Sequence, residues 1–303
     1  MRSTFVRCIT SRAISDERIF LITADVGFSV FEDFASRFPD KFLNVGVAEQ
    51  NAIGVAAGLA LSGKIVYVYG IIPFLTMRCF EQIRVNVAYM NTNVRLVGVG
   101  AGLTYGSQGA THHAIEDIAI MRALPNMTIC CPGDPVEVRE LVQSSFSYQG
   151  PIYFRLGKNG EPSIHDASKS IVIGEAVKVR EGKDIALITT SNMLLRGKEI
   201  VDELVDEGID ASLISMHTIK PLDTRAIERL VSAGTPIVTL EEHNIIGGLG
   251  SAVAEVIALS GATVRFRRYG IPDSFVHSVG NQEFLRSELG MDRIAEDIKK
   301  ELL

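Results

Sequence analysis

The sequence predicts an α/β protein built from two doubly wound domains, each a parallel sheet covered by helices. Three observations carry that expectation. Short apolar runs such as Ile19-Phe20-Leu21-Ile22 recur between segments of helical length. These runs lack clean polar-apolar alternation, so both faces of each strand are expected to be buried. At 303 residues, with 47% hydrophobic residues and 27 glycines for tight strand-to-helix turns, the chain has material for two cores of ordinary size.

In chain order, strands are expected at 19–23, 65–69, 94–99, 127–131 and 152–154, with helices near 49–62, 75–90, 114–123 and 135–147. Composition turns polar over 157–170, where Lys158-Asn159-Gly160-Glu161-Pro162 and Asp166-Ala167-Ser168-Lys169-Ser170 mark a linker. A second alternation follows, with strands near 185–189, 211–215, 236–240 and 263–266 and helices at 193–207, 223–232 and 249–259. The predicted domains are therefore 1–160 and 170–303, the second being the smaller.

The net charge of −6 comes from interspersed acids and bases, and no basic run offers a nucleic-acid footprint. No apolar run is long enough to span a bilayer, and Met1-Arg2-Ser3-Thr4-Phe5-Val6-Arg7 lacks a secretory core and cleavage site. A cytoplasmic protein without a membrane role is expected. Cys8, Cys79, Cys130 and Cys131 lack redox or metal spacing and read as small core residues.

The most informative position is Glu49. In Asn44-Val45-Gly46-Val47-Ala48-Glu49-Gln50-Asn51-Ala52 a short apolar strand gives way to a small-residue helix, which sets a carboxylate in the first helical turn at a strand's carboxyl end. An acid there also complements the helix dipole with no further role. Two more segments follow, Phe74-Leu75-Thr76-Met77-Arg78-Cys79-Phe80-Glu81-Gln82-Ile83-Arg84 and Gly109-Ala110-Thr111-His112-His113-Ala114-Ile115-Glu116-Asp117. By themselves, aromatics at helical spacing are ordinary core, and the His112, His113, Glu116, Asp117 group has no recognised ligand spacing, so no metal ligand is assigned. Further on lie Lys220-Pro221-Leu222-Asp223, Glu241-Glu242-His243 and Gly247-Gly248-Leu249-Gly250. The last precedes a helix and suits either an anion or a close-packing turn.

In this order, and over essentially the whole chain, these segments resemble the pyrimidine-binding and C-terminal domains of the transketolase family of thiamine diphosphate enzymes. The resemblance implies that Glu49 bonds ring nitrogen N1′ of the cofactor and drives its 4′-amino group to the imino form, in a dry pocket that strengthens the bond. Val47 matches an apolar prop beneath the cofactor. Phe74 and Phe80 match rings around the aminopyrimidine, and Met77 stands where a third aromatic is usual. Asp25, in Thr23-Ala24-Asp25-Val26-Gly27, matches an acid near the cofactor, although an Asp at a strand end also makes an ordinary turn. His112 matches a histidine near the reacting carbonyl, where an imidazole donates to an oxyanion or exchanges a proton. Ser29, Arg155 and Arg2 match ligands of a substrate phosphate, a role that suits an arginine fork.

Two positions depart from the family. Gln108, in Gly106-Ser107-Gln108-Gly109, replaces an aspartate that reads a sugar hydroxyl, and Gly100 replaces a histidine that helps bind sugar phosphates. An amide still bonds a hydroxyl but without charge-assisted strength, which favours a modified or branched sugar, or a different aldehyde, over the standard pentose phosphates.

The Gly-Asp-Gly motif and later Asn that hold Mg²⁺ and the diphosphate in the family occur nowhere in the chain. The resemblance therefore implies the second half of a split transketolase. A partner subunit of N-terminal type carries that motif and holds thiamine diphosphate and Mg²⁺ for the most part. Sites form between subunits, and an α2β2 heterotetramer transfers a two-carbon ketol unit between sugars or sugar phosphates. Two rival readings are a β-type subunit of a decarboxylating 2-oxo acid enzyme and a non-catalytic regulatory or scaffold subunit.

Overall fold

Each apolar run feeds two cores at once. The structure, a computed structural model, describes residues 1–158 and 160–302; Asn159 of the expected linker and Leu303 at the end of the expected second domain lie outside it. In β1 (Ile19–Thr23), Ile19 and Leu21 enter one buried cluster and Ile22 the other. After β2 (Phe42–Asn44), β3 (Ile65–Ile71) repeats the pattern, with Ile65, Tyr67 and Tyr69 on one side and Val66 and Val68 on the other. The expected burial on both faces is what the sheet shows. Helices Arg2–Ala13 and Pro135–Ser145 cover the first cluster through Phe5, Ile9 and Leu141; helix Glu49–Leu61 and the π-helix Ile83–Tyr89 cover the second.

β4 (Val94–Val99), β5 (Thr128–Cys130) and β6 (Ile152–Leu156) complete the parallel part of this sheet. The second half supplies β7 (Val177–Arg180), β8 (Ile185–Thr189), β9 (Ala211–Ser215), β10 (Thr218–Lys220), β11 (Ile237–Asn244) and β12 (Phe266–Ile271). Five of these form the second sheet, in the order β12-β11-β8-β9-β7. β10 instead pairs antiparallel with β5, so the first sheet reads β10-β5-β6-β4-β3-β1-β2 and borrows an edge strand from the second half.

The unforeseen elements have physical reasons for being hard to read. β10 is three residues long, too short for a pattern, whereas β2 is the short strand expected ahead of Glu49. β12 begins where 263–266 was expected to end, because it is an edge strand that exposes Arg267 and Arg268. Helix Arg2–Ala13 did carry a signal, since Phe5, Ile9 and Ala13 recur at four-residue spacing and are fully buried. The helix expected over 75–90 breaks into Ile72–Thr76, Phe80–Gln82 and the π-helix, and that break aims side chains at the site described below. Helices Gln282–Glu288 and Ile294–Leu302 close the chain. No helix among the described residues is long and apolar enough to cross a membrane.

The halves meet at a polar joint. Asp134 caps helix Pro135–Ser145 by accepting the Glu137 amide at 2.8 Å, and its other oxygen accepts the amides of Ile164 and His165. Glu137 accepts from Gly133, from the Ser215 hydroxyl of β9 and bonds His165 Nε2 at 2.8 Å. Asp134, Glu137 and His165 are close enough to share a cation, but their oxygens already face these donors. Burial works to raise the Glu137 carboxyl; the His165 bond and the nearby His217 outweigh it and hold it low. Burial likewise works to lower His165, and Glu137 overcomes it, so the imidazole stands above its usual 6.5. The His165 contribution is thus complete below pH 6.5 and fades as pH rises through the higher folded value, whereas that of Glu137 fades in acid. His165→Gln should therefore destabilise most below pH 6.5 and progressively less as pH rises above it, read as urea midpoints against wild type. A pH-independent difference would mean that the imidazole is neutral throughout.

Candidate active site

Parallel strand order brings the carboxyl ends of β1, β2, β3, β4 and β6 to one edge of the sheet. The strand order reverses across the sheet between β1 and β3, the switch point at which open α/β sheets take ligands. Glu49, the first residue of its helix, is 6% exposed, and its Oε2 accepts from Arg78 Nη1 at 2.8 Å. No other protein donor meets this carboxylate among the described residues. The helix break after Thr76 places Arg78 here, and Gln50 Nε2 holds its carbonyl at 3.0 Å.

A continuous line of groups runs from this pair. The Arg78 guanidinium lies 4.5 Å over the Phe74 ring, a cation-π contact. His112 meets Phe74 nearly edge-on, with centroids 5.0 Å apart, and Tyr105 follows at 6.3 Å from His112. The Lys158 ammonium stands 4.9 Å over Tyr105. His112 Nδ1 bonds the Thr111 hydroxyl at 2.9 Å, which leaves Nε2 for a ligand. Arg2 sits beside Tyr69 and Tyr105; burial raises both phenols and the arginine charge opposes the rise.

Arg78, Tyr105 and Lys158 were not foreseen. For Tyr105 a signal existed: Gly100 has φ +92°, and a Cβ on it would collide with the Tyr105 ring. The glycine at position 100 is what admits this tyrosine.

Other expected residues occupy the rim. Asp25 has φ +54°; its amide donates to Asn44 Oδ1 at 2.9 Å, and Asn44 also accepts from Gly46, tying the β1 loop to the segment before Glu49. Ser29 is exposed, its amide held by Glu32. Gln108 is exposed, and Val47, the expected prop, is 76% exposed. Met77 is half-buried, while Phe80 packs against the core under helix Glu49–Leu61 rather than joining the Phe74–His112 pair.

Arg155 requires a correction. It was expected to bind a substrate phosphate, yet it is fully buried. Its Nε bonds the equally buried Asp117 at 2.9 Å, Nη1 donates to Ser191 Oγ, and Nη2 donates to the carbonyls of Ala114 and Glu242. All three guanidinium nitrogens are occupied, so it is an internal strut between the halves. Lys158, just beyond β6, joins Arg2 beside Tyr105 instead.

The Glu241-Glu242-His243 segment also turns inward. Glu241 accepts the amides of Leu249 and Gly250, so the chain's own carboxylate fills the glycine turn, in keeping with close packing. Burial pushes that carboxyl up to about 7 and the His243 imidazole down to about 4.

An acid, an aromatic ring and a histidine thus lie near the switch point of a doubly wound sheet, where ligands bind in open α/β folds. The pyrimidine binding domain of transketolase matches residues 1–161, and the transketolase C-terminal domain matches residues 174–293. The chain is 39% identical to one of the subunits of an apulose-4-phosphate transketolase from Actinobacillus succinogenes, over 86% of this chain and 83% of that one. It is also 39% identical to a putative transketolase C-terminal section of Methanocaldococcus jannaschii, over 94% and 92%. A solved split gene transketolase, described as an inactive beta4 tetramer, superposes with a TM-score of 0.91 at 34% identity, covering 99% of this chain and 97% of that one. The chain belongs to the transketolase family.

Arg155→Met should lower stability by about 3–5 kcal/mol, because Asp117 is left as an uncompensated buried charge. Lys158→Met should leave the unfolding midpoint within about 0.5 kcal/mol of wild type, as for an exposed side chain. Equal destabilisation in urea unfolding would contradict the division of labour between these two cations.

Proposed function

We propose that this chain is the second subunit of a split thiamine diphosphate-dependent transketolase that transfers a two-carbon ketol unit. The observation that carries the reading is the line Glu49, Arg78, Phe74, His112 in the switch-point crevice. The residues fit the pyrimidine half of the cofactor: a buried carboxylate pairs through one oxygen with Arg78, whose guanidinium covers the ring of Phe74. Bound thiamine diphosphate supplies the nucleophilic carbon that takes up the ketol unit.

The chain's own residues do the rest. Glu49 holds a proton between its carboxyl and the ring nitrogen once Arg78 swings aside. Phe74 keeps water from that bond, with Met77 and Phe80 behind it. His112 offers Nε2 to the substrate oxygen that gains charge. Lys158, Tyr105 and Arg2 form an anion-receptive end suited to a phosphate, Gln108 reads a hydroxyl from the rim, and Asp25 and Ser29 flank the opposite side. Support for an uncommon sugar phosphate comes from the Gly100-Tyr105 exchange and from relatives named for apulose 4-phosphate.

The diphosphate and Mg²⁺ belong, in this reading, to a partner of N-terminal type carrying Gly-Asp-Gly and a later Asn, in an α2β2 assembly. Val47 and Phe28, 76% and 79% exposed beside the crevice, suit a surface that such a partner covers.

Calorimetry on the lone chain with thiamine diphosphate and Mg²⁺ should show no tight binding, and stoichiometric binding would refute the split. With the partner present, Glu49→Gln should abolish most turnover while cofactor affinity stays within about tenfold, since the diphosphate dominates binding. Wild-type turnover in that variant would remove Glu49 from the mechanism. Arg78→Met should bind cofactor at least as tightly as wild type, because a competitor for Glu49 is gone; weaker binding would make Arg78 a ligand instead.

A further inference from the structure

We infer that Glu242, in the second half of the chain, is a positioning residue for His112, so that the C-terminal domain sets the geometry of a site it does not line. The inference rests on the proposed reading of His112 as a group that touches substrate. His112 lies on a loop whose base is pinched shut, with Gly102 N donating to Ala114 O at 3.1 Å and Ala114 N to Gly102 O at 2.9 Å. Just inside the pinch, Leu103 N donates to Glu242 Oε2 at 3.1 Å.

From Leu103 a relay of turns leads to the histidine. Gly106 N donates to Leu103 O at 2.8 Å, Gly109 N to Gly106 O at 3.2 Å, and His112 N to Gly109 O at 3.0 Å. A shift of Leu103 is therefore passed along three consecutive bonds to the imidazole. The close approach is built in: Gly102 has φ +62°, and a Cβ on it would run into the Glu242 carboxylate. A Cβ on Gly106 would likewise meet the backbone of Gly280 and the side chain of Leu285, both in the second half.

Glu242 is itself held on every side. It is 1% exposed, Oε1 accepts from Arg286 Nε at 2.6 Å, and Oε2 also accepts from Asn192 Nδ2 and from Gln282 Nε2 at 2.7 Å. Gln282 reaches the loop too, at 3.3 Å from the Thr104 hydroxyl. The other leg of the pinch is fastened by Arg155 Nη2, shared between the carbonyls of Ala114 and Glu242. A buried carboxylate with a counter-ion and several fixed donors has one geometry, and it imposes that geometry on the Leu103 amide. Simple adhesion between domains would not require a bond to the base of this one loop.

The test compares wild type, Glu242→Ala, Glu242→Gln and Gln282→Ala, each alone and with the N-terminal-type subunit. Amide exchange over 102–114 should quicken by about tenfold in Glu242→Ala and by about threefold in Glu242→Gln and Gln282→Ala, with helix Glu49–Leu61 unchanged. In the complex, ketose KM should rise and kcat/KM should fall in step with loop exchange, while the dissociation constant for thiamine diphosphate stays within about twofold; Gln should restore most of the loss seen with Ala. Unchanged loop exchange, or equal loosening of all segments, overturns the positioning role. A loosened loop with unaltered kcat/KM would leave the clamp standing and overturn the reading of His112. Should Glu242→Ala fail to fold, Gln282→Ala decides, because it leaves the Glu242–Arg286 pair intact.

Discussion

The fold depends on one buried ion pair, Arg155 with Asp117, both side chains fully shielded from water. A charge taken that deep needs partners, and here they come from both halves: Tyr153 joins Arg155 on Oδ2 of the acid, whose Oδ1 has no partner among the described residues, and Ser191, Ala114 and Glu242 meet the base. The pair consequently does more than join β6 to the start of helix Asp117–Arg122. Through the carbonyls of Ala114 and Glu242 it fixes where the His112 loop leaves the sheet and where β11 ends. β10, lodged against β5, and the Asp134–Glu137–His165 joint extend the same seam.

A second pair, Glu49 with Arg78, follows the opposite logic. Its arginine is half exposed and rests on an aromatic face, so separation costs little beyond a screened attraction and a cation-π contact. A carboxylate that must later bond a cofactor needs a temporary companion of this kind. The two arginines divide the work by burial: the one with every nitrogen engaged is structural, and the one with a free path to solvent is available for change.

The common location of Glu49, His112 and Phe74 was legible because each sits where a parallel strand hands over to a helix or loop, and such positions share one edge of the sheet whatever the details. Arg155 was misread for a related reason: its place at the end of a strand is visible in sequence, but whether its side chain faces the cleft or the seam depends on Asp117 and Ser191, which lie far from it along the chain. Tyr105 was missed because the signal was an absence at Gly100, interpretable only once a ring is seen to fill the space. Phe80, an aromatic at helical spacing, went to the core because the helix breaks before it and turns it inward.

Residue order alone was enough for the class of most elements, the parallel order implied by doubly buried strands, and the acid at the first turn of helix Glu49–Leu61. These follow from local periodicity and chain continuity, which act over a few residues. Which cations face the cleft, which carboxylates are spent inside, and that β10 crosses from one half to the other became settled in three dimensions. Those outcomes hinge on partners far apart along the chain, 139 residues in the case of Leu103 and Glu242, where desolvation and donor geometry select among side chains that composition and spacing cannot distinguish.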